Sequence, residues 1–308
     1  MQPEKTSITE FDIFYLSYDE PKKEQFWADL SFKVPWAKRV DGVKGFDNAH
    51  KECARQSETD NFITVDGDNI VDERFFNENV TINEHTKNKV FSWTAKNIVN
   101  GLAYGNGGIK LWSKDFVLNM KTHENAENPD HSVDFCWYTN YIQMNNIYSE
   151  VYINQSEYQA FRAGFREGVK MSLLEGKKPD PLRLEEQIFV KNYQRLLIWC
   201  TVGSDIKYGD WAVYGARLGC YMLNQTDWDH SLVRDYDWLE NFFNDKVLVQ
   251  TPSDEDMKKH SFEIGEKLRK DLHLPIAELD PDQSRFFKKV YHNPPRVGAM
   301  VTENGQVV

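Results

Sequence analysis

Two aspartates separated by one glycine, Asp66-Gly67-Asp68, follow the apolar run Phe62-Ile63-Thr64-Val65 and precede Asn69. Carboxylates two residues apart at a strand end can turn toward one hard cation, and Gly67 permits the tight backbone between them. Mg2+ and Mn2+ favour oxygen ligands and often bridge to a phosphate-bearing substrate. The chemistry that suits such a pair is departure of a nucleoside diphosphate, whose developing charge the metal stabilises as a Lewis acid. The bland alternative is an acidic turn, since Asp and Gly are common turn residues.

Other residues can be set around this pair. Asp19, after a first strand, would share a rim with Asp66 in a parallel sheet and accept a hydrogen bond from a base or ribose; otherwise it caps a turn before Pro21. Lys44, in a glycine-bearing loop, can meet a diphosphate or stand solvated. Gly105-Asn106-Gly107-Gly108 puts three glycines in four positions, which lets backbone N–H groups approach a ligand, with Lys110 just after them. As an ordinary hairpin turn, the same segment leaves Lys110 solvated and Trp112 in the core. Arg162, Arg166 and Lys170 recur every four residues, a basic stripe that can track phosphates or simply face solvent. Asp134 and Glu167 are the carboxylates offered as general base, Asp134 because its apolar neighbours favour a raised pKa. Each is otherwise a salt-bridge or cap residue. His131 and His230 are candidates to complete a metal site, although the eight histidines show no zinc spacing.

The elements that must position these residues read as α/β. Residues 11–17 form a mostly apolar strand, 22–30 a helix, 40–45 a loop, 46–56 a helix with Ala49, Cys53 and Ala54 inward, and 62–65 the next strand. Strand, helix, strand with polar residues at the strand ends is a unit that presents ligand sites at the carboxyl ends. Residues 89–93 and 133–141 read as strands, 98–108 as a glycine-rich loop, 109–112 as a short apolar run, and 122–131 as an exposed loop. Phe161, Phe165, Val169 and Leu173 then repeat at i+4, which places a helix over 158–174, with further helices over 184–201 and 210–223. The tail from residue 280, with Asn293-Pro294-Pro295, reads as extended. This divides the chain into an α/β part over 1–150 and a mostly helical part over 151–308.

The 48 acidic against 37 basic residues give a net charge of −11, which argues against a simple nucleic-acid coat protein. Locally the balance reverses: residues 161–195 hold eight basic and five acidic side chains, so a basic groove on an acidic protein is possible. An aromatic content of 14% rules out a disordered acidic chain. The scattered Cys53, Cys136, Cys200 and Cys220 fit structural thiols in a reducing compartment. No run is apolar enough for a membrane helix and the start lacks a signal-peptide pattern, so a cytoplasmic protein without a membrane partner is expected.

The strand ending in Ser17-Tyr18-Asp19, the helix carrying His50 to Arg55, and Val65-Asp66-Gly67-Asp68-Asn69 together resemble the GT-A, Rossmann-type fold of nucleotide-sugar glycosyltransferases. The segment Tyr104 to Trp112 and the sequence AFRAGFREGVK at 160–170 look like phage glycosyltransferases associated with the TET/JBP hydroxylases. The resemblance implies a GT-A-like sheet that binds a nucleotide-sugar donor, most simply a UDP-sugar. It implies Mn2+ or Mg2+ at Asp66 and Asp68, Asp19 at the nucleotide, and hydroxymethylated DNA bases as acceptor, 5-hydroxymethylcytosine first among them. Gly107, Gly108, Lys110, Arg162 and Arg166 would then lie on the acceptor side. Two alternatives stay open: a non-catalytic nucleic-acid-binding or virion protein using the basic stripe, and a glycosyltransferase with a non-DNA acceptor. A phosphohydrolase using the two aspartates is a third, thin for want of a histidine cluster.

Overall fold

The computed structural model describes residues 5–105, 108–128, 130 and 141–291. They fall into two compact units, the first holding the described residues up to Glu124 together with 141–152, the second 125–130 and 153–291.

The first unit is an α/β layer structure. Its strands are β1 (Lys5–Ser7), β2 (Asp12–Ser17), β3 (Lys38–Asp41), β4 (Asn61–Asp66), β5 (Asn69–Val71), β6 (Asn79–Thr81), β7 (Val90–Asn97), β8 (Ile109–Ser113) and β9 (Tyr141–Val151). Its helices are α1 (Lys23–Lys33), α2 (Phe46–Gln56) and α3 (Lys114–Asn119). Seven strands form a mixed sheet in the order β3-β2-β4-β8-β7-β9-β5, while β1 and β6 make a separate antiparallel ribbon. β2 runs parallel to both β3 and β4, whereas β8 is antiparallel to β4 and to β7. The chain therefore leaves β2, crosses through α1 to β3 on one side, and returns through α2 to β4 on the other.

Right-handed crossovers in opposite directions place their helices on opposite faces. The cores agree: Phe26 and Leu30 of α1 pack with Ile13, Tyr15, Ile63 and Val65, while Cys53 and Ala54 of α2 pack with Phe14, Leu16, Phe62 and Trp112. Burial on both faces is what makes β2 and β4 read as continuous apolar runs.

Several expectations are corrected here. Residues 40–45 are not all loop, because β3 extends to Asp41. Residues 122–131 do not start as an exposed loop. Thr122 and His123 are buried, and the Thr122 amide and hydroxyl bond the buried Asp47 carboxylate on α2. The strand expected over 133–141 falls outside the described residues up to 140, and the long strand β9 begins at Tyr141.

The second unit is helical: α4 (Glu157–Met171), α5 (Leu184–Gln187), α6 (Val190–Trp199), α7 (Gly209–Gln225), α8 (Tyr236–Phe242), α9 (Leu248–Gln250), α10 (Asp254–Asp271) and α11 (Pro281–Val290). The helix expected over 184–201 is broken, because Ile188 turns extended after α5 and Phe189 stands at the N-cap of α6. The expected extended tail begins instead as α11, closed by an Asp280/Gln283 capping box with Pro281 in the first turn. Residues 292–308, with Pro294 and Pro295, lie outside the described residues. α4 and α7 make the central pair. A Cβ on Gly164 or Gly168 would run into the backbone of Ala212 and Ala216, and one on Gly215 or Gly219 into the backbone of Phe161 and Phe165. Reciprocal glycines four apart let the two helix backbones touch.

Candidate functional site

Where successive crossovers leave a strand in opposite directions, the carboxyl ends of the adjacent parallel strands open a crevice. In this protein that switch point lies between β2 and β4. The residues following them are Tyr18-Asp19-Glu20 and Gly67-Asp68-Asn69, so the first unit brings Asp19, Asp66, Gly67 and Asp68 to one edge of one sheet. Asp19 is exposed, Asp66 and Asp68 are half-buried, and Gly67 is buried.

The edge is tightly built. A Cβ on Gly67 would lie 2.8 Å from both the Leu16 carbonyl and the Glu20 carboxylate, so no larger residue fits between the strand ends. The Tyr15 hydroxyl donates to the Gly67 carbonyl (2.8 Å), and burial, with the Glu20 charge adding to it, raises the Tyr15 pKa and keeps that donor protonated. The Glu20 carboxylate accepts from the Tyr18 amide (2.7 Å). Asp68 is held from two sides: its carboxylate accepts from the Asn69 side-chain amide (2.7 Å) and its carbonyl from the Tyr152 amide (2.8 Å).

Lys110 is the main correction among the candidates. It is 2% exposed rather than solvated, and its ammonium lies 3.5 Å from the Asp66 carboxylate. In β8 side chains two apart share a face, so Lys110 must go where the core residue Trp112 goes. That signal was present in the sequence. The register sets Lys110 opposite Thr64 of β4 and Ser92 of β7, and Ser92 opposite Gln143 of β9. A polar row thus crosses four strands of the face that α2 covers. Thr64 accepts from the Trp112 indole (2.8 Å) and Gln143 donates to Thr94 (2.9 Å). The Ser92 hydroxyl is fully buried without a hydrogen-bond partner.

His50, which sequence reasoning passed over as a ligand, joins this row from α2. Its ring packs on Phe46 and Trp112, with centroids 4.0 and 4.9 Å apart. Its Nδ1 lies 2.8 Å from the Phe46 carbonyl, which can only accept, so Nδ1 carries the proton and Nε2 is a bare acceptor with no hydrogen-bond partner. Burial pushes the His50 pKa down to about 4, with Asp66 opposing and Lys110 adding to the effect. The imidazole is neutral at pH 7.

Lys44 is exposed on the loop before α2. The first backbone amides of that helix are already taken, since the Glu124 carboxylate accepts from Phe46 (2.8 Å) and Asp47 (2.6 Å). Gly108 immediately precedes β8, and its carbonyl accepts from the Asp66 amide (2.9 Å). Gly107, Asp134 and His131 lie outside the described residues.

Arg162, Arg166 and Glu167 belong to the second unit. The two guanidiniums stack on one ring, Arg162 at 5.0 Å and Arg166 at 4.9 Å from the Tyr236 centroid. Arg162 also lies 5.3 Å from Tyr158, and Arg166 donates to the Tyr236 hydroxyl. Glu167 lies 3.8 Å from the Lys170 ammonium. His230 points at the Gly176 carbonyl (3.2 Å). Among the described residues no three His, Cys, Asp or Glu side chains are gathered as a metal-holding group, and no helix is long and apolar enough to cross a membrane. Cys53, Cys200 and Cys220 are buried free thiols, as structural cysteines should be; Cys136 lies outside the described residues.

Fold and site together define an α/β protein with a carboxylate-lined switch point above a buried polar row. Compared with protein-family models, curated proteins and solved structures, the chain matches none.

Proposed function

We propose that the protein is a nucleotide-sugar-dependent glycosyltransferase of GT-A type that transfers a sugar to the hydroxymethyl group of a modified base in phage DNA. The observation that carries this reading is the convergence of Asp19 and Asp66-Gly67-Asp68 at the carboxyl ends of β2 and β4, the place where open α/β sheets bind nucleotides. Asp19, exposed on the rim, would receive the base or ribose. Asp66 and Asp68 offer hard oxygen donors at a partly open edge, Asp66 with 38% of its side chain exposed, and this donor set fits Mn2+ or Mg2+ shared with substrate phosphates. Once bound, such a metal would supply Lewis-acid stabilisation of the leaving diphosphate.

The chain's own contributions follow from its side chains. Gly67 keeps the two strand ends in contact, and Tyr15 fixes the Gly67 carbonyl from below. Arg162 and Arg166 are proposed to meet acceptor phosphates, with Gly107 and Gly108 allowing close backbone approach. Asp134 or Glu167 would take the proton of the acceptor hydroxyl. An acceptor base inside a duplex would have to leave the stack to be reached. Such chemistry belongs in the cytoplasm of an infected cell.

The test is thermal stability against nucleoside diphosphates and UDP-sugars, with and without Mn2+. One nucleotide should raise the melting temperature, more so with metal, by the equivalent of about 3 kcal/mol at a hundredfold excess over Kd. Asp68→Asn should abolish the metal-dependent part. A folded protein that responds to no nucleotide would sink the reading.

A further inference from the structure

Asp66 ends β4, the third strand of the seven-stranded sheet, and Asn69 opens β5, the seventh. In a flat sheet, strands four places apart lie about 19 Å from one another, whereas the three residue steps from Asp66 to Asn69 reach about 11 Å at most. The sheet must therefore curl, and Gly67-Asp68 is the link that brings its far edge back to the end of β4. There Asn69 pairs with Val151 of β9, and its side chain lies against Gly108, just before β8. A Cβ on Gly108 would collide with the Asn69 carboxamide, which supplies all three of its nearest atoms. Asn69 is 3% exposed, and its Nδ2 donates to the Asp68 carboxylate (2.7 Å). A carboxylate only accepts, so this bond fixes which end of the amide faces Asp68. The other end, Oδ1, is buried without a hydrogen-bond partner. Such an orphan is a cost that a smaller or apolar residue would remove, so stability does not explain an asparagine here. What the arrangement achieves is direction. The amide is wedged against Gly108 while it holds Asp68, and the Gly108 carbonyl holds the Asp66 amide (2.9 Å). One glycine thereby references both aspartates to the start of β8.

We infer that Asn69 and Gly108 are positioning residues for a divalent-cation site at Asp66 and Asp68: Asn69 fixes the rotation of the Asp68 carboxylate, and Gly108 fixes Asn69. This rests on the reading above for the presence of the cation, and it adds to Gly108 a task at the donor side. A carboxylate whose orientation is set beforehand gives up less freedom when it binds a cation. Partners that orient metal ligands in this way typically change affinity by about tenfold or more.

The experiment is Mn2+ binding to the full chain, read from the electron paramagnetic resonance signal of free Mn2+, with and without UDP. Melting temperatures are measured beside it without metal. Asn69→Ala removes the donor and the orphan together, so Mn2+ should bind about tenfold more weakly or worse while the metal-free melting temperature stays unchanged or rises. Gly108→Ala drives its methyl into the carboxamide and should lower both Mn2+ affinity and melting temperature. In the double variant the carboxamide is gone, so Gly108→Ala should cost nothing beyond Asn69→Ala in either measurement. If the two residues serve packing alone, the coupling shows in melting temperature while Mn2+ affinity stays at the wild-type value, and the inference is overturned with the transferase reading intact. If Mn2+ affinity follows the cycle but no nucleoside diphosphate tightens it, the inference stands and the transferase reading falls. Wild type that binds no Mn2+, alone or with UDP, overturns the inference, while the transferase reading survives if a nucleotide still raises the melting temperature.

Discussion

His50 shows how much one side chain can report about a site. It is held neutral between Phe46 and Trp112, with a folded-state pKa of about 4 against an ordinary value near 6.5. The sign follows directly: between those values the unfolded chain binds the proton and the folded chain does not. Stability from this residue is therefore complete above pH 6.5 and is lost as pH falls toward 4, by on the order of 3 kcal/mol across the window. His50→Phe keeps an aromatic ring against Phe46 and Trp112 but cannot titrate. Urea midpoints at pH 7 and pH 4.5 should fall further apart for wild type than for the variant; equal differences would mean that His50 is not held neutral. The carboxylates that also titrate in this range are common to both proteins and cancel in the comparison.

At the scale of elements, two contacts do work that no single element could do. The Glu124 carboxylate caps α2 from a distant loop through the Phe46 and Asp47 amides, and Asp47 in turn holds Thr122. Glu124→Gln keeps one acceptor and loses the charge at a helix N-terminus, so it should cost about 1 kcal/mol in urea denaturation. A cost near zero would show that solvent caps the helix equally well. In the second unit, Gly168→Val would press two methyls into the Ala216 backbone, and overpacking of this kind should cost about 3 kcal/mol, read as a lower melting temperature. A neutral result would mean that α4 and α7 are not in backbone contact. These contacts also mark the limit of legibility in the sequence. Helix α2 was readable to its end residues, and β2 and β4 nearly so, because local apolar patterning and turn residues define them. The expected strand stops at Tyr141, where β9 begins, and β9 itself goes unread because its pairing with β7 shifts register twice and Asn146 takes a positive φ, which breaks the alternation. Helix α10 was missed because its buried stripe, Met257, Ser261, Ile264 and Leu268, is narrow within a run of charges. Helix α11 starts on a capping box of Asp280 and Gln283, a local signal that the prolines at 294 and 295 mask in a sequence reading of the tail. The carboxylates of the site could be read because they sit on local strand ends. Its buried half, His50, Ser92 and Lys110, comes together only through α2 packing and strand register, which are not local.

At the scale of the whole molecule, a net charge of −11 repels a polyanion, so DNA as acceptor requires local contacts that outweigh the long-range field. The second unit offers a concrete place for such contacts. Arg162 and Arg166 share the Tyr236 ring, which is 39% exposed, so their guanidiniums are partly oriented before any phosphate arrives. Preorganised arginines lose less side-chain freedom on binding than solvated ones. The expectation is quantitative because each neutralised phosphate releases counterions. Replacing both arginines with glutamine should weaken binding to hydroxymethylated DNA and reduce the slope of log affinity against log salt by about 2. Tyr236→Ala leaves both charges in place, so it should keep the slope while lowering affinity severalfold through lost orientation. Fluorescence anisotropy at several salt concentrations separates the two effects. If the double variant keeps the wild-type slope, these arginines do not touch phosphate, and the acceptor must be sought among free nucleotides, glycans or proteins, for which an acidic protein carries no electrostatic penalty.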